Sequence, residues 1–217
     1  MTVTEAIVEG QVVKSRHRVK TYGEVFTPRH MVDRMLDLVR QELETGPDFV
    51  DKTFLEPAAG DGNFLVRILG RKLGAIEKRY PAQEWAQESL FALASIYGIE
   101  LLEDNYQDAK AIMLAQFLGF HQAHGVTCGV RTNLYRAAAH LITMNIVCGN
   151  TLTGQTLEGQ DIQFSWWHRV EAPGGIVQRE PFNFASLRQD RGFDFTVYDT
   201  YPPCPIDRVH GEVRDHA

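Results

Sequence analysis

A glycine-rich bend between a strand-like and a helix-like stretch is the feature that most limits how this chain can fold. Residues 54–69 read FLEPAAGDGNFLVRIL. The apolar run up to Glu56 favours a short buried strand, and the apolar spacing after Asn63 favours a helix. Gly60 and Gly62 between them permit a backbone bend that approaches a ligand closely, or a helix that packs tightly on its strand. The stretch therefore predicts the first unit of a sheet whose parallel strands alternate with helices.

The bend does not fit the common phosphate-binding patterns. The pattern G-x-G-x-x-G would require a third glycine where Leu65 stands, and no lysine follows as in a phosphate-binding P-loop. Glu56, at the end of the predicted strand, would repel a pyrophosphate and attract a ligand that carries positive charge. The residues thus favour a cationic ligand at the bend.

The pattern of strand followed by helix continues along the chain. A helix is predicted from about Pro28 to Leu43, with proline in its favoured first turn. Short apolar runs over residues 96–101 and 145–152 predict two further strands, and helical spacing separates them. Such alternation favours an α/β fold with a mostly parallel sheet and helices on both faces.

The character of the sequence changes after about residue 154. Residues 162–171 and 176–185 predict two strands joined by a Pro-Gly-Gly turn, a C-terminal β-hairpin. A further strand from Phe193 would run into a proline-rich loop. We divide the chain into a basic N-terminal arm (1–22), a core (23–155), and a unit with the hairpin, the loop and a tail (156–217).

Composition narrows the class of protein. The chain has 217 residues, of which 44% are hydrophobic, and this balance suits a globular domain with a sizeable core. Three cysteines, an odd number far apart, argue against a disulfide framework and against a clustered zinc site, and favour a reducing cytoplasm. No apolar run approaches the roughly 20 residues of a membrane span, and the first residues lack the apolar centre of a signal peptide.

Charge is distributed unevenly. The formal net charge is −6, which counts mildly against nucleic acid as a partner. Residues 14–20, KSRHRVK, are nevertheless densely basic. This stretch is either a solvated arm or a site of DNA phosphate contact, which acts locally and does not require a basic protein. The phosphate-contact candidates are Lys14, Arg16, Arg18 and Lys20.

Four motifs in order resemble the amino-group DNA methyltransferases, the adenine-specific enzymes of restriction–modification systems and phages. FLEPAAGDGNFL is similar to the family's cofactor loop, and GEVFTPRHMVDRML is similar to the Phe-Thr-Pro segment before it. IYGIEL and NIVCGNTL resemble the second and third strands. The match covers roughly residues 23–152. It implies a Rossmann-like methyltransferase core that binds S-adenosylmethionine, whose sulfonium and ammonium groups suit an acidic site.

The resemblance implies a role for each of these positions. Glu56 would accept from the ammonium group, and Glu100 would accept hydrogen bonds from the two ribose hydroxyls. Asn150, where the family usually has aspartate, would accept from the adenine amino group through its amide oxygen, or would serve only as a turn residue. The implied cofactor-binding residues are Phe26, Thr27, Pro28, Glu56, Pro57, Ala58, Gly60, Gly62, Asn63, Glu100, Leu101 and Asn150.

The chain departs from the family at the catalytic motif. The family has Asp or Asn, then Pro-Pro and an aromatic residue, which accept the hydrogens of the target amine and stack on the flipped base. The nearest stretch here is FDFTVYDTYPPCPI, residues 193–206, in which Tyr201 precedes the proline pair and Cys204 follows it. The catalytic candidates are Asp199, Tyr201, Pro202 and Pro203. The stretch is alternatively a proline-rich loop that closes the domain.

Several alternatives stay open at this stage. Trp166 and Trp167, next to His168 in the predicted hairpin, either fill a core or stack on bases. The chain is either an adenine methyltransferase, with or without a partner for sequence recognition, or a methyltransferase-like protein that binds the cofactor without transfer, as a regulatory subunit or decoy. RNA or protein is a third class of substrate.

Overall fold

A computed structural model describes residues 13–188 and 201–211 of the chain. The α-helices are α1 (Arg16–Tyr22), α2 (Arg29–Asp37), α3 (Asn63–Arg79), α4 (Trp85–Ala94), α5 (Glu103–Ala123) and α6 (Asn133–Asn145). The strands are β1 (Phe54–Glu56), β2 (Ile96–Glu100), β3 (Ile146–Asn150), β4 (Gln155–Thr156), β5 (Gln163–Arg169), β6 (Ile176–Asn183) and β7 (Cys204–Pro205). Short 3₁₀ turns over Ala82–Glu84, Phe184–Arg188 and Ile206–Gly211 complete the described part.

The first sheet confirms the predicted α/β class with a mostly parallel sheet. Its strands lie in the order β1-β2-β3-β4, and only β4 runs antiparallel. The register pairs Glu56 with Gly98 and Glu100 with Cys148, so neighbouring strands are staggered. Because β1, β2 and β3 are parallel, their carboxyl ends share one edge of the sheet.

The two faces of β2 pack against different elements. A side chain at Gly98 would come within 2.9 Å of Leu65 on α3, so this face of β2 packs against a helix. Tyr97 points to the opposite face, because successive strand residues alternate. There its ring meets Phe164 at 5.4 Å between centroids, and its hydroxyl donates to the Ser165 carbonyl of β5 at 2.9 Å. At this position a second, antiparallel sheet packs on β2.

That second sheet contains the predicted hairpin. Strands β5 and β6 pair antiparallel over their length, and β7 adds to β6 with Cys204 opposite Val177. The strand predicted from Phe193 lies outside the described residues. β7 is a short strand that local pattern did not predict, since a Cys-Pro pair carries no strand signal and is placed by its pairing with β6.

The helix predicted from Pro28 to Leu43 is interrupted. α2 ends at Asp37, where the backbone amides of the next two residues bond to carbonyls three residues back, and a π-helical turn follows over Gln41–Thr45. Arg71 of α3 holds both sides of the break, through Asp37 at 2.6 Å and through Glu44. A tertiary contact thus overrides the continuous helical spacing.

Two further features concern the chain as a whole. Within the described residues, no helix combines the length and apolar content that crossing a bilayer requires. Cys128 and Cys148 are free thiols and are each partly buried.

Candidate functional site

A cavity of about 610 Å³ opens at the shared edge where the three parallel strands end. The last residue of each strand, Glu56, Glu100 and Asn150, lines it, and so does the segment Tyr22–Thr27 that precedes α2. Its size is in the range of pockets that bury drug-sized ligands. The described residues that line it are Tyr22, Gly23, Glu24, Val25, Phe26, Thr27, Glu56, Pro57, Ala58, Ala59, Gly60, Asp61, Asn63, Phe64, Glu100, Leu101, Leu102, Asn105, Gly149, Asn150, Thr151 and Leu152.

The lining brings together most of the residues that the sequence proposed for cofactor binding. Ten of the twelve, drawn from four separate stretches, meet around this one space. Pro28 and Gly62 are not among the lining residues. Pro28 precedes the first turn of α2, and Gly62 precedes α3, so both shape the elements behind the cavity wall.

The glycines of the bend serve close packing within the protein. Gly62 has φ +93°, and a Cβ there would lie 2.9 Å from the Cα of Ala109 on α5. Gly60 has φ +57°, and a Cβ there would lie 3.3 Å from the ring of Phe26, which is 9% exposed. The bend therefore lets α3 approach α5 and lets an aromatic ring cover the loop, while Gly60 still lines the cavity.

Glu100 fixes the bend against the end of β2. Its side chain accepts from the Gly60 backbone amide at 2.7 Å and from the Leu102 amide at 3.0 Å. It also accepts from the Asn105 side-chain amide at 3.3 Å. Glu100 is 7% exposed. A carboxylate offers about four acceptor positions, so one position, on Oε2, remains for a ligand hydroxyl. The resemblance implied two.

Glu56 keeps an oxygen available to the cavity. Oε1 accepts from the Ala58 backbone amide at 3.0 Å, and within the described residues Oε2 accepts no hydrogen bond. Burial raises the pKa of this carboxyl, and the Ala58 amide opposes that shift. A cation placed beside Glu56 would stabilise its ionised form.

Asn150 is a turn residue as well as a wall of the cavity. Its Oδ1 accepts from the backbone amides of Leu152 at 2.8 Å and Thr153 at 3.3 Å, which occupies both lone pairs of the oxygen. The oxygen that could have accepted from a ligand is therefore already bonded within the turn. The side-chain NH₂ is the group that Asn150 can offer to a ligand, as a donor.

The electrostatic character of the cavity is acidic. Among the described residues, four carboxylates line it, Glu24, Glu56, Asp61 and Glu100, and no lysine or arginine does. Burial also raises the pKa of Asp61, whose Oδ1 is enclosed without a hydrogen-bond partner in the described part of the chain. The site thus favours a ligand with positive charge and hydrogen-bond donors.

Glu24, Asp61 and Asn105 are among the polar residues of the cavity that sequence reasoning missed. Asp61 lies between the two glycines of the bend, a position that could have been read directly. Asn105 follows Glu100 by five residues and returns to it in the first turn of α5. Glu24 gave no local signal, because its link to the cavity runs through Asn105, 81 residues away.

The basic residues of the stretch 14–20 fall into two groups, those that form ion pairs within the described part of the chain and those that do not. Lys14 pairs with Asp108 at 2.8 Å and with Asp104 at 3.3 Å, and Arg18 pairs with Asp104 at 2.7 Å. Arg16 makes no ion pair within the described residues, and the same holds for Lys20. A DNA phosphate at Lys14 or Arg18 would have to displace these carboxylates, so the phosphate hypothesis is simplest for the other two.

The described catalytic candidates lie just before β7, the short strand that joins the second sheet. Tyr201 is 5% exposed, and the guanidinium of Arg179 lies 4.3 Å from its ring centroid. Pro202 and Pro203 are exposed and lead directly into β7. None of these three is among the cavity's lining residues. Asp199 lies outside the described residues.

The two tryptophans of the hairpin differ in burial. Trp167 is 8% exposed and donates from Nε1 to the Asn145 side-chain oxygen at 2.8 Å, which confirms a core role. Trp166 is half-buried, with its ring near His168 and Phe182. His168 in turn contacts Glu180 at 2.9 Å.

Comparison of the chain with protein-family models, curated proteins and solved structures gave no match. The functional interpretation therefore depends on the residues themselves and on the cavity that they form.

Proposed function

We propose that this chain is a Rossmann-like protein that binds S-adenosylmethionine in the cavity at the ends of β1, β2 and β3, and that it transfers the methyl group to the exocyclic amine of adenine in DNA. The observation that carries the proposal is the convergence of four sequence stretches, each chosen for one cofactor, on a single acidic cavity. Ligands of open parallel sheets collect at the carboxyl ends of the strands, which supports the same location.

The polar residues suit different ends of this ligand. Glu56, with its available oxygen, would accept from the ammonium group. Glu100 would accept one ribose hydroxyl through its remaining acceptor position. Asn150 would donate its NH₂ to a ring nitrogen of the adenine. The roles of Glu100 and Asn150 differ from those that the resemblance implied. Backbone amides already bond to the carboxylate of Glu100 and to the side-chain oxygen of Asn150.

The apolar and charged parts of the lining suit the rest of the molecule. Leu101 is 38% exposed and Leu152 83% exposed, and both line the cavity where a flat ring needs apolar contact. The sulfonium would lie beside Glu56, Asp61 and Glu100, whereas Arg18 balances the charge of Glu24. In the reaction, the amine nitrogen attacks the methyl carbon, the sulfonium becomes a neutral thioether, and the amine loses a proton to solvent.

One observation favours a second function, cofactor binding without methyl transfer. Tyr201 is buried against Arg179, and the segment that follows it pairs with β6. Neither Tyr201 nor the proline pair lines the cavity, so the described part of the stretch supplies no acceptor for the target amine there. In this case the chain would act in the cytoplasm as a regulatory subunit or decoy for a partner that carries the catalytic loop.

Methyl transfer distinguishes the two functions. The protein is incubated with methyl-labelled S-adenosylmethionine and unmethylated DNA, and the DNA is digested for nucleoside analysis. Labelled N6-methyl-2′-deoxyadenosine that disappears in Glu56→Gln but not in Glu77→Gln, an exposed glutamate away from the cavity, would support the enzyme. Cofactor binding without labelled nucleoside would support the second function, and label in RNA or protein would redirect the substrate class.

A further inference from the structure

The segment 14–27 forms one wall of the cavity and is attached to α5 by charge. Tyr22–Thr27 line the cavity, and α1, just before them, carries Arg18. Ser15 caps α1 by accepting from the Arg18 backbone amide at 3.2 Å, and Gly23 ends it in a left-handed conformation. The turn at Gly23 directs the following residues across the cavity.

A continuous set of hydrogen bonds connects this segment to the glycine bend. Arg18 donates to both oxygens of Glu24, at 2.6 Å from Nε and 2.7 Å from Nη2. The Asn105 side-chain amide donates to Glu24 at 2.6 Å and to Glu100 at 3.3 Å. Glu100 in turn holds the Gly60 amide at 2.7 Å. Arg18 is thereby linked through three side chains to the loop that would contact the ligand.

The arrangement places two carboxylates around one neutral amide. Glu24 and Glu100 share the same nitrogen of Asn105, which fixes the orientation of that amide, and Asn105 is 1% exposed. The side chain of Glu24 is 7% exposed, so its charge has little access to water. Arg18 is the cation that balances it, and it holds the pKa of Glu24 below the usual range.

We propose that Arg18 is a positioning residue of the cavity, which orients Glu24 and, through Asn105, Glu100, and so couples closure of segment 14–27 to ligand binding. The identity of the ligand rests on the proposed function; the coupling rests on the contacts. Without Arg18, Glu24 and Glu100 would face each other across Asn105 without a balancing charge, and the bend would lose its fixed acceptor. Linkage requires that a ligand which favours the closed segment is itself bound more tightly when the segment is held closed.

The first test compares Arg18→Gln with Arg34→Gln, the same substitution at an exposed arginine of α2. S-adenosylmethionine is titrated into each protein by calorimetry, with the melting temperature measured alongside. Arg18→Gln is expected to lower affinity by roughly tenfold or more, whereas Arg34→Gln leaves it unchanged. Arg18→Lys should restore part of the loss, since lysine keeps the charge but lacks the two-pronged geometry. Equal affinities of Arg18→Gln and wild type would overturn the proposal.

The second test needs no ligand. Asp104→Asn removes a partner of Lys14 and Arg18 without changing the basic segment, and Glu103→Gln removes the adjacent charge from the same helix turn. Trypsin should cleave the 14–20 stretch faster in Asp104→Asn than in Glu103→Gln. Higher salt, between about 0.05 M and 0.5 M, should narrow that difference by screening. Equal cleavage rates would overturn the closure.

The two tests separate failure of the coupling from failure of the proposed function. If wild type binds no S-adenosylmethionine but Asp104→Asn is cleaved faster, the proposed ligand is wrong and the attachment of the segment holds. If wild type binds it and neither Arg18→Gln nor Asp104→Asn differs from its control, the ligand stands and the coupling is wrong.

Discussion

Replacing Glu100 with glutamine should destabilise the protein as well as weaken ligand binding. The carboxylate accepts from two backbone amides, of Gly60 and Leu102, on separate oxygens. Glutamine retains a single oxygen, so one of the two amides loses its acceptor and faces an NH₂ group. The perturbation is therefore the loss of an acceptor within a nearly buried contact, with almost no change in shape.

The contacts set the expected magnitude. A hydrogen bond to a charged group contributes about 1.5–3 kcal/mol, and a buried donor left without a partner costs a similar amount. Because the cavity admits water to part of the site, we expect Glu100→Gln to lower the free energy of unfolding by about 3 kcal/mol rather than by the sum. Glu103→Gln, three residues further on and exposed, is the matched control and should leave stability unchanged.

Equilibrium unfolding in urea measures the difference. Both variants and wild type are unfolded at neutral pH, and the midpoints are compared at equal slopes, so that a change in midpoint reports stability alone. If Glu100→Gln unfolded at the same urea concentration as wild type, the bend would not depend on this carboxylate. The hydrogen bonds that begin at Arg18 would then not contribute to holding the bend in place.

Two other predictions concern packing and pH. Gly62→Ala should destabilise the protein by about 3 kcal/mol, because φ +93° is strained for alanine and the new Cβ would lie 2.9 Å from Ala109. The control is Gly74→Ala within α3, where a Cβ meets no atom within 4 Å and should not destabilise the protein. Equal urea midpoints of the two variants would refute this prediction. Burial lowers the pKa of His121 to about 4, from 6.5. The unfolded chain therefore binds the proton more strongly, so this contribution to stability is complete above about pH 6.5 and is lost as the pH falls towards 4, by about 3 kcal/mol. His121→Gln should flatten the pH dependence of urea unfolding between pH 7 and 4 more than the exposed control His30→Gln does, and identical curves would contradict the assignment.

The sequence correctly predicted elements whose conformation depends on residues close together in the chain. The strand ending at Glu56, the glycine bend and the hairpin over residues 162–185 each combine an apolar run with turn residues, and each forms where expected. The parallel order of the strands followed from their alternation with helices. These features depend on neighbours in the chain, which a single sequence displays.

Contacts between distant residues account for what the sequence did not reveal. The break after Asp37 depends on Arg71, 34 residues away. The role of Arg18 depends on Glu24 and on Asp104, 86 residues away, so a run of basic residues looked like a solvated or DNA-binding arm. The sequence left Asn150 either as a ligand acceptor or as a turn residue, because its two backbone partners are seen only in the folded loop. Local pattern carries no information on such pairings.

The central claim is that the acidic cavity binds S-adenosylmethionine, and calorimetric titration of the wild-type protein with this compound tests it most directly. The account predicts saturable binding of one molecule per chain, weakened roughly tenfold or more by Glu56→Gln through loss of a charged acceptor. Glu77→Gln, away from the cavity, should bind as wild type does. Folded wild-type protein that shows no saturable heat up to about millimolar ligand, a binding free energy weaker than about −4 kcal/mol, would contradict the account.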